Sequence, residues 1–249
     1  MLNLSLAYAW VSSLERLAIV VAVTIGFALF ARALRGVNWS GACVGGVSCF
    51  LLFSCAGPAA FETLAVLFLL TWASTRSGFR RKQELGVAER REGRNSRQVL
   101  ANLGVAALCA AAFSVSGDHA LLVASVAALA EAAADTVASE IGQAGSGIVV
   151  MITTWSRVPA GTDGGITAAG TLAGSLAGLA IACVAALVKM IPLSQFWIPA
   201  LAGFAGMVLD SILGATCQRR GWISNEAVNF LSTLAAASLA GVIVVLTAR

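Results

Sequence analysis

Four polar clusters interrupt an otherwise apolar chain, and each has residue types suited to a particular chemistry. In AEAAADTVASEIG, Glu131 and Asp135 are four apart and share one face of a helix, which Ser139 extends, with Thr136 beside it. Glu140 projects elsewhere from a regular helix and joins that face only if the helix breaks near Gly142. A carboxylate at mid-membrane costs about 2.5–3.5 kcal/mol on insertion scales, so acids kept in such a run point to function. Clustered hard oxygen donors suit magnesium, which keeps several waters and bridges substrate phosphates. Asp135, Ser139, Glu140, Asp163 and Asp210 are the candidate ligands, and Glu131 is a possible addition.

The second cluster is AGTDGGIT, residues 160–167. Gly161, Thr162, Gly164 and Gly165 let backbone N–H groups converge, and Thr167 opens a helix whose N-terminus favours anions. The same residues also make an ordinary turn. The third is the basic stretch RREGRNSRQVLAN, in which the forks of Arg91, Arg94 and Arg97 fit phosphate oxygens. Arginines here could instead set topology or attract anionic lipid. Those roles explain Asn95, Gln98 and Asn102 poorly, whereas amides could fix a base or a ribose. The fourth is Asp210–Ser211 with Gly214 and Gln218, followed by Asn225 and Asn229 as further candidates. No phosphate-loop signature, dinucleotide fingerprint or protein-kinase signature is present, and a single histidine, His119, precludes a Ser–His–Asp set.

The elements that must position these residues follow from composition. Of 249 residues, 59% are hydrophobic and 11% charged, against about a quarter charged in a soluble domain. Mean hydropathy is +0.88. Roughly 20 apolar residues span a bilayer, and the chain supplies about seven or eight such runs: 13–34, 37–56, 59–75, 98–116, 119–140, 167–190, 195–217 and 226–247. They are apolar all round, which excludes a barrel with alternating strands. The expected architecture is all-α, a polytopic integral membrane helical bundle forming one transmembrane domain over residues 1–249. Loops 76–97, 143–166 and 218–225 lie outside the lipid, and the short apolar piece 147–155 fits a strand, an interfacial segment or a re-entrant turn.

Loop 76–97 carries eight arginines and lysines against three glutamates, which places it in the cytoplasm. Counting outward, Arg32, Arg35, Arg157, Arg219 and Arg220 share that side, and the N-terminus is external. The first apolar run lacks a small-residue cleavage site and reads as a membrane helix, not a removed signal. Gly170, Gly174 and Gly178 recur every four positions, as small residues do where membrane helices approach closely. The six cysteines form no CxxC pair and read as small buried hydrophobes.

The runs GRNSRQVLAN, ADTVASEIG, VPAGTDGGITAAGTLAG, LDSILGATCQ and NFLSTLAAA, in that order over roughly residues 70–245, resemble a family of multi-pass membrane proteins. That family was long labelled a domain of unknown function and includes the plant and cyanobacterial phytyl-phosphate kinases. Val137 departs from the pattern, since relatives often carry an aromatic there. The resemblance implies phosphoryl transfer from CTP or another nucleoside triphosphate, with Mg2+, to an isoprenoid monophosphate such as phytyl, farnesyl or geranylgeranyl phosphate. Carried over by position, Arg94, Asn95, Gln98 and Asn102 occupy the basic motif, Asp135, Ser139 and Glu140 the acidic one, Asp163 and its glycines the third, and Asp210 the fourth. Asp135, Arg94 and Asp210 are then the expected catalytic residues, on the cytoplasmic face of a plasma or inner membrane, with no nucleic-acid partner. Two rival readings use the same ingredients: an ion exchanger or transporter with carboxylate relays, and a CTP-dependent lipid cytidylyltransferase.

Overall fold

The computed structural model describes residues 13–247, and the predicted external N-terminus lies outside that range. Helix starts are set by short polar side chains that satisfy the first free N–H groups. α1 spans Ser13–Ala33. Asn38 opens α2 (Trp39–Ala56) by accepting from the Gly41 N–H at 2.9 Å. Pro58, which has no N–H to leave unpaired, begins α3 (Pro58–Arg76). A short helix, α4 (Phe79–Glu84), runs through the basic loop. Asn95 and Gln98 form a reciprocal capping box at α5 (Ser96–Ser116). Asp118 caps α6 (His119–Ala144), and Thr167 caps α7 (Ala168–Leu187). α8 (Trp197–Leu213) passes into a π-helical turn at Gly214–Gln218, and α9 (Asn225–Thr247) ends the bundle.

Eight helical segments among the described residues are long and apolar enough to cross a membrane, matching the eight runs read from hydropathy. α6 continues to Ala144, four residues past the end of the apolar run at 140. Its 26 residues rise about 39 Å, more than the roughly 30 Å hydrocarbon core, so its last turns can project into the headgroups. α6 is the central helix, packed by α3, α5, α7, α8 and α9. Its burial depends on small residues: Gly170, Gly174 and Gly178 of α7 lie against Ala138, Ala134 and Ala130 of α6, so close that an added Cβ would press on their carbonyls. The glycine repeat is therefore a packing stripe, and it fixes α7 beside the acidic face of α6. The apolar piece at 147–155 contributes a two-residue strand: β1 (Val150–Met151) pairs antiparallel with β2 (Gly165–Ile166), and a turn follows it. All six cysteines are free.

The connections 34–38, 77–95, 145–167 and 219–224 gather at one end of the bundle, and the arginine-rich ones are among them. With that end in the cytoplasm, cysteines placed at the exposed Ser77 and Ser224 in a cysteine-free background resist impermeant maleimide in intact cells and label fully after permeabilisation. Labelling of either site from outside reverses the arrangement.

Candidate active site

The four polar clusters converge on one cavity of 350 Å³ at the loop-rich end of the bundle. Its lining combines Arg94, Gln98 and Asn102 of the basic stretch with Asp135, Thr136, Ser139 and Glu140 of α6. The 160–167 turn adds Gly161, Thr162, Asp163, Gly164 and Gly165, and the last two helices add Asp210, Ser211, Gly214, Gln218, Asn225 and Asn229.

Arg94 owes its position to the first two helices. The α1–α2 turn docks on its backbone: the Arg94 N–H donates to the Gly36 carbonyl at 3.1 Å, and Asn38 N–H donates to the Arg94 carbonyl at 3.0 Å. Gly93, at φ +87°, makes this approach possible, because a Cβ there would stand 2.6 Å from the Arg35 carbonyl oxygen and the Gly36–Val37 backbone. The Arg94 guanidinium donates to Thr136 Oγ1 at 3.3 Å and lies 3.9 Å from Glu89, which also accepts from the Gln98 amide at 3.2 Å and from the Arg90 N–H at 3.0 Å. Gly93→Ala removes no chemical group, yet is expected to displace Arg94 and lower turnover nearly as far as Arg94→Ala does. Wild-type turnover in Gly93→Ala would show that the seat is dispensable.

The acids face one another from two helices. Asp135 on α6 and Asp210 on α8 are close enough to interact directly, and Ser232 of α9 donates to Asp210 Oδ2 at 3.2 Å. Asn229 lies between Asn102 and Asp210; with its amide nitrogen turned to the acid it donates to Oδ2 at 3.3 Å and to the Asn225 carbonyl at 3.0 Å. Glu131 sits one turn deeper, 1% exposed, with Oε1 lacking a hydrogen-bond partner, and does not reach the cavity wall. Asp163 comes to the rim because Gly164, at φ +75°, and Gly214 allow the turn to rest against the Ala215 backbone. Partial burial lifts the Asp163 carboxyl above its ordinary range, and the nearby Arg219 guanidinium opposes that rise.

Four expected site residues have other positions or other work. Both carboxylate oxygens of Glu140 are taken: Lys82 Nζ contacts Oε2 at 2.5 Å, and Thr75 Oγ1 donates to Oε1 at 2.9 Å. α6 does not break at Gly142, so Glu140 stays off the Asp135 face, as a regular helix requires. The Asn95 side-chain oxygen caps α5, accepting from the Arg97 and Gln98 N–H groups, and the residue lines neither cavity. Arg97 points outward from the first turn of α5 and lines neither cavity; Arg91 lines a neighbouring apolar one. The one sequence signal of the Lys82–Glu140 pair is that Lys82 is the single lysine among seven arginines in its loop, and spacing says nothing of its partner. The docking of residues 35–38 was equally hidden, because its bonds are made by backbone.

Among the described residues, no three Asp, Glu, His or Cys side chains group as a metal site. The donors that face each other are hard carboxylate oxygens on Asp135 and Asp210, with Asp163 at the rim. That set fits a divalent ion such as magnesium that completes its shell with water and substrate phosphate, and does not fit an all-protein cage.

Similarity to known proteins is extensive. The chain is 33% identical over 243 residues to the uncharacterized membrane protein sll0875 of Synechocystis sp., covering 95% of this chain and 92% of that protein. It is 30% identical over 208 residues to protein VTE6, chloroplastic, of Arabidopsis thaliana, covering 80% and 62% respectively. Protein PGR of the same plant is 30% identical over 236 residues, covering 83% and 80%. No solved structure matches the chain. Residues 22–237 match the family described as integral membrane protein DUF92, and with relatives this similar along most of their length the chain belongs to that family.

Proposed function

We propose that the protein transfers the terminal phosphoryl group of CTP, or of another nucleoside triphosphate, to an isoprenoid monophosphate, giving the diphosphate. The observation that carries this reading is the single cavity in which Arg94 stands opposite Asp135 and Asp210, with the Asp163 glycine turn closing the rim. The resemblance to a family that includes phytyl-phosphate kinases supports it, and the match to the Arabidopsis VTE6 protein agrees with it. Anion-binding groups beside acidic groups are complementary parts of a phosphoryl-transfer site. A transporter would use the acids, but has no evident use for Arg94 and Asn102 beside them.

In the reaction an oxygen of the acceptor monophosphate forms a bond to the terminal phosphorus while the bridging P–O bond to the nucleoside diphosphate breaks, and that diphosphate leaves. The acceptor is already an anion, so no general base is needed, and catalysis reduces to alignment and charge neutralisation. Arg94 offsets the repulsion between the two anions and holds a phosphate in register, with its fork oriented by Glu89 and Thr136. Asn102 presents an amide beside it, suited to a ribose or a base, while the Gln98 amide is taken up by the Asn95 N–H and by Glu89. Gly164 and Gly165 let the turn pack against Ala215 and against its own Thr162 carbonyl, which keeps Asp163 at the rim of the cavity. Asp135 and Asp210 are the residues that would hold magnesium, which when bound neutralises phosphate charge. Ser232 and Asn229 fix the Asp210 carboxylate.

The test is purified protein with labelled CTP, magnesium and phytyl, farnesyl or geranylgeranyl phosphate. The expected products are CDP and the prenyl diphosphate. Both Arg94→Ala and Asp210→Asn are expected to lower this turnover by about 10²–10³-fold, typical of removing one preorganised electrostatic group. Arg94→Ala also weakens nucleotide binding. Release of pyrophosphate with CMP joined to the lipid would indicate a cytidylyltransferase instead. Solute or ion movement across liposomes without nucleotide consumption would indicate a transporter.

A further inference from the structure

We infer that a second, apolar cavity of 460 Å³ beside the first holds the hydrocarbon tail of the phosphorylated acceptor, an inference that rests on the kinase reading above. The cavity lies among α1, α2, α3 and α5 and reaches α6 at Ala132. Phe27, Leu64, Leu67, Phe68, Val99 and Leu103 are among the residues that face it. Its length can be read along α3, where the lining runs from Leu64 to Arg76, a rise of about 18 Å. The volume falls within the roughly 300–1,000 Å³ usual for a small-molecule site. That form suits one flexible chain lying parallel to the helices.

The open end differs in chemistry from the interior. Arg35, Arg76, Arg90 and Arg91 line it together with Arg94, and Glu89 is the one carboxylate in the lining. Such a mouth attracts a phosphate monoester, whose charge and oxygens the guanidinium forks match, and gives an alcohol or a hydrocarbon nothing to hold. Glu89, Arg94 and Asn102 line both cavities, so the two meet at Arg94. A monophosphate held there has its tail in the apolar cavity and its phosphate facing the acidic one, where the transferred group must arrive. This also gives the first two helices a role in substrate binding besides seating Arg94.

The test uses the full chain in lipid nanodiscs and farnesyl phosphate carrying a diazirine at the far end of its tail. Photolabel is expected on cavity residues such as Phe27 and Leu64, removed by excess farnesyl phosphate and unaffected by farnesol or phosphatidic acid. Gly45 lines the cavity, and a Cβ there would make only an ordinary 3.7 Å contact with Val99, so a larger side chain can enter the free space. Gly45→Leu is expected to raise the dissociation constant for farnesyl phosphate about tenfold, the value of the apolar burial it displaces, and to affect geranyl phosphate less. Nucleotide binding should not change. Label found on outward-facing residues such as Leu29 and Val47, or lost equally to phosphatidic acid, overturns the proposal; the wild-type map decides this whether or not Gly45→Leu folds. Label in the cavity with no nucleotide-dependent transfer leaves the tail site standing and removes the kinase reading. Transfer with label elsewhere does the reverse.

Discussion

Asp135→Asn is expected to lower nucleotide-dependent phosphorylation of a prenyl phosphate by about 10³-fold while leaving the protein inserted and folded. The size follows from removing one full charge from a site whose work is electrostatic, where single preorganised groups are worth about 10²–10³-fold or slightly more. The fold should survive because the substitution keeps the shape of the side chain. It also relieves repulsion: Asp135 stands beside Asp210 and one turn from Glu131, all carried by tightly packed helices. Arg94 keeps its bond to Thr136 and its contact with Glu89, so the guanidinium is not left without partners. The measurement is initial rate against magnesium concentration for wild type and variant, with size-exclusion profiles in detergent as the check on folding. If Asp135 holds the ion, residual activity needs more magnesium. Near-normal turnover with an unchanged magnesium dependence removes Asp135 from the site, and the kinase mechanism would then have to rest on Asp210 and Asp163.

The helices were legible because lipid imposes a length and an all-round apolarity that no other solvent demands, and the polar clusters were legible because each one violates that demand. Asp135 and Asp210 could be singled out on cost alone. What sequence could not supply was mutual orientation. Spacing places Glu131 and Asp135 on one face of α6, but only packing against α8 reveals that Asp135 reaches the cavity and Glu131 stops a turn short. Asn95 has the residue type of a substrate-binding amide and that of a helix cap, and the capping box decided between them. Residues 35–41 carry no motif because their contribution to Arg94 is made through backbone carbonyls, N–H groups and the absence of a side chain at Gly93. Close approach of this kind leaves only a glycine behind as its trace.

The second large effect concerns Glu140, whose carboxylate the structure gives to packing. Lys82 is wholly buried, and its ammonium group meets Glu140 Oε2 together with the Thr75 and Ser74 carbonyls. This clamp ties the basic loop to α3 and α6 directly behind the acidic face. Removing one partner of a buried pair leaves the other charge unpaired, at a cost of about 3–5 kcal/mol, a large part of a typical stability margin of about 5–15 kcal/mol. Lys82→Met and Glu140→Gln are therefore each expected to destabilise the protein by several kcal/mol or to block its accumulation, with Lys82→Met the worse because it strands a carboxylate. The double variant Lys82→Met/Glu140→Gln is expected to be more stable than Lys82→Met alone, since no charge is left buried and Thr75 can still donate to the amide oxygen. Replacing both members of such a pair by neutral groups is often close to harmless. SDS-unfolding titrations of the four proteins in mixed micelles close the cycle and give the coupling directly. The same preparations decide between clamp and metal ligand: a clamp predicts that the double variant regains turnover with the wild-type magnesium requirement. A stable Glu140→Gln protein that folds like wild type but needs far more magnesium would return Glu140 to the ion.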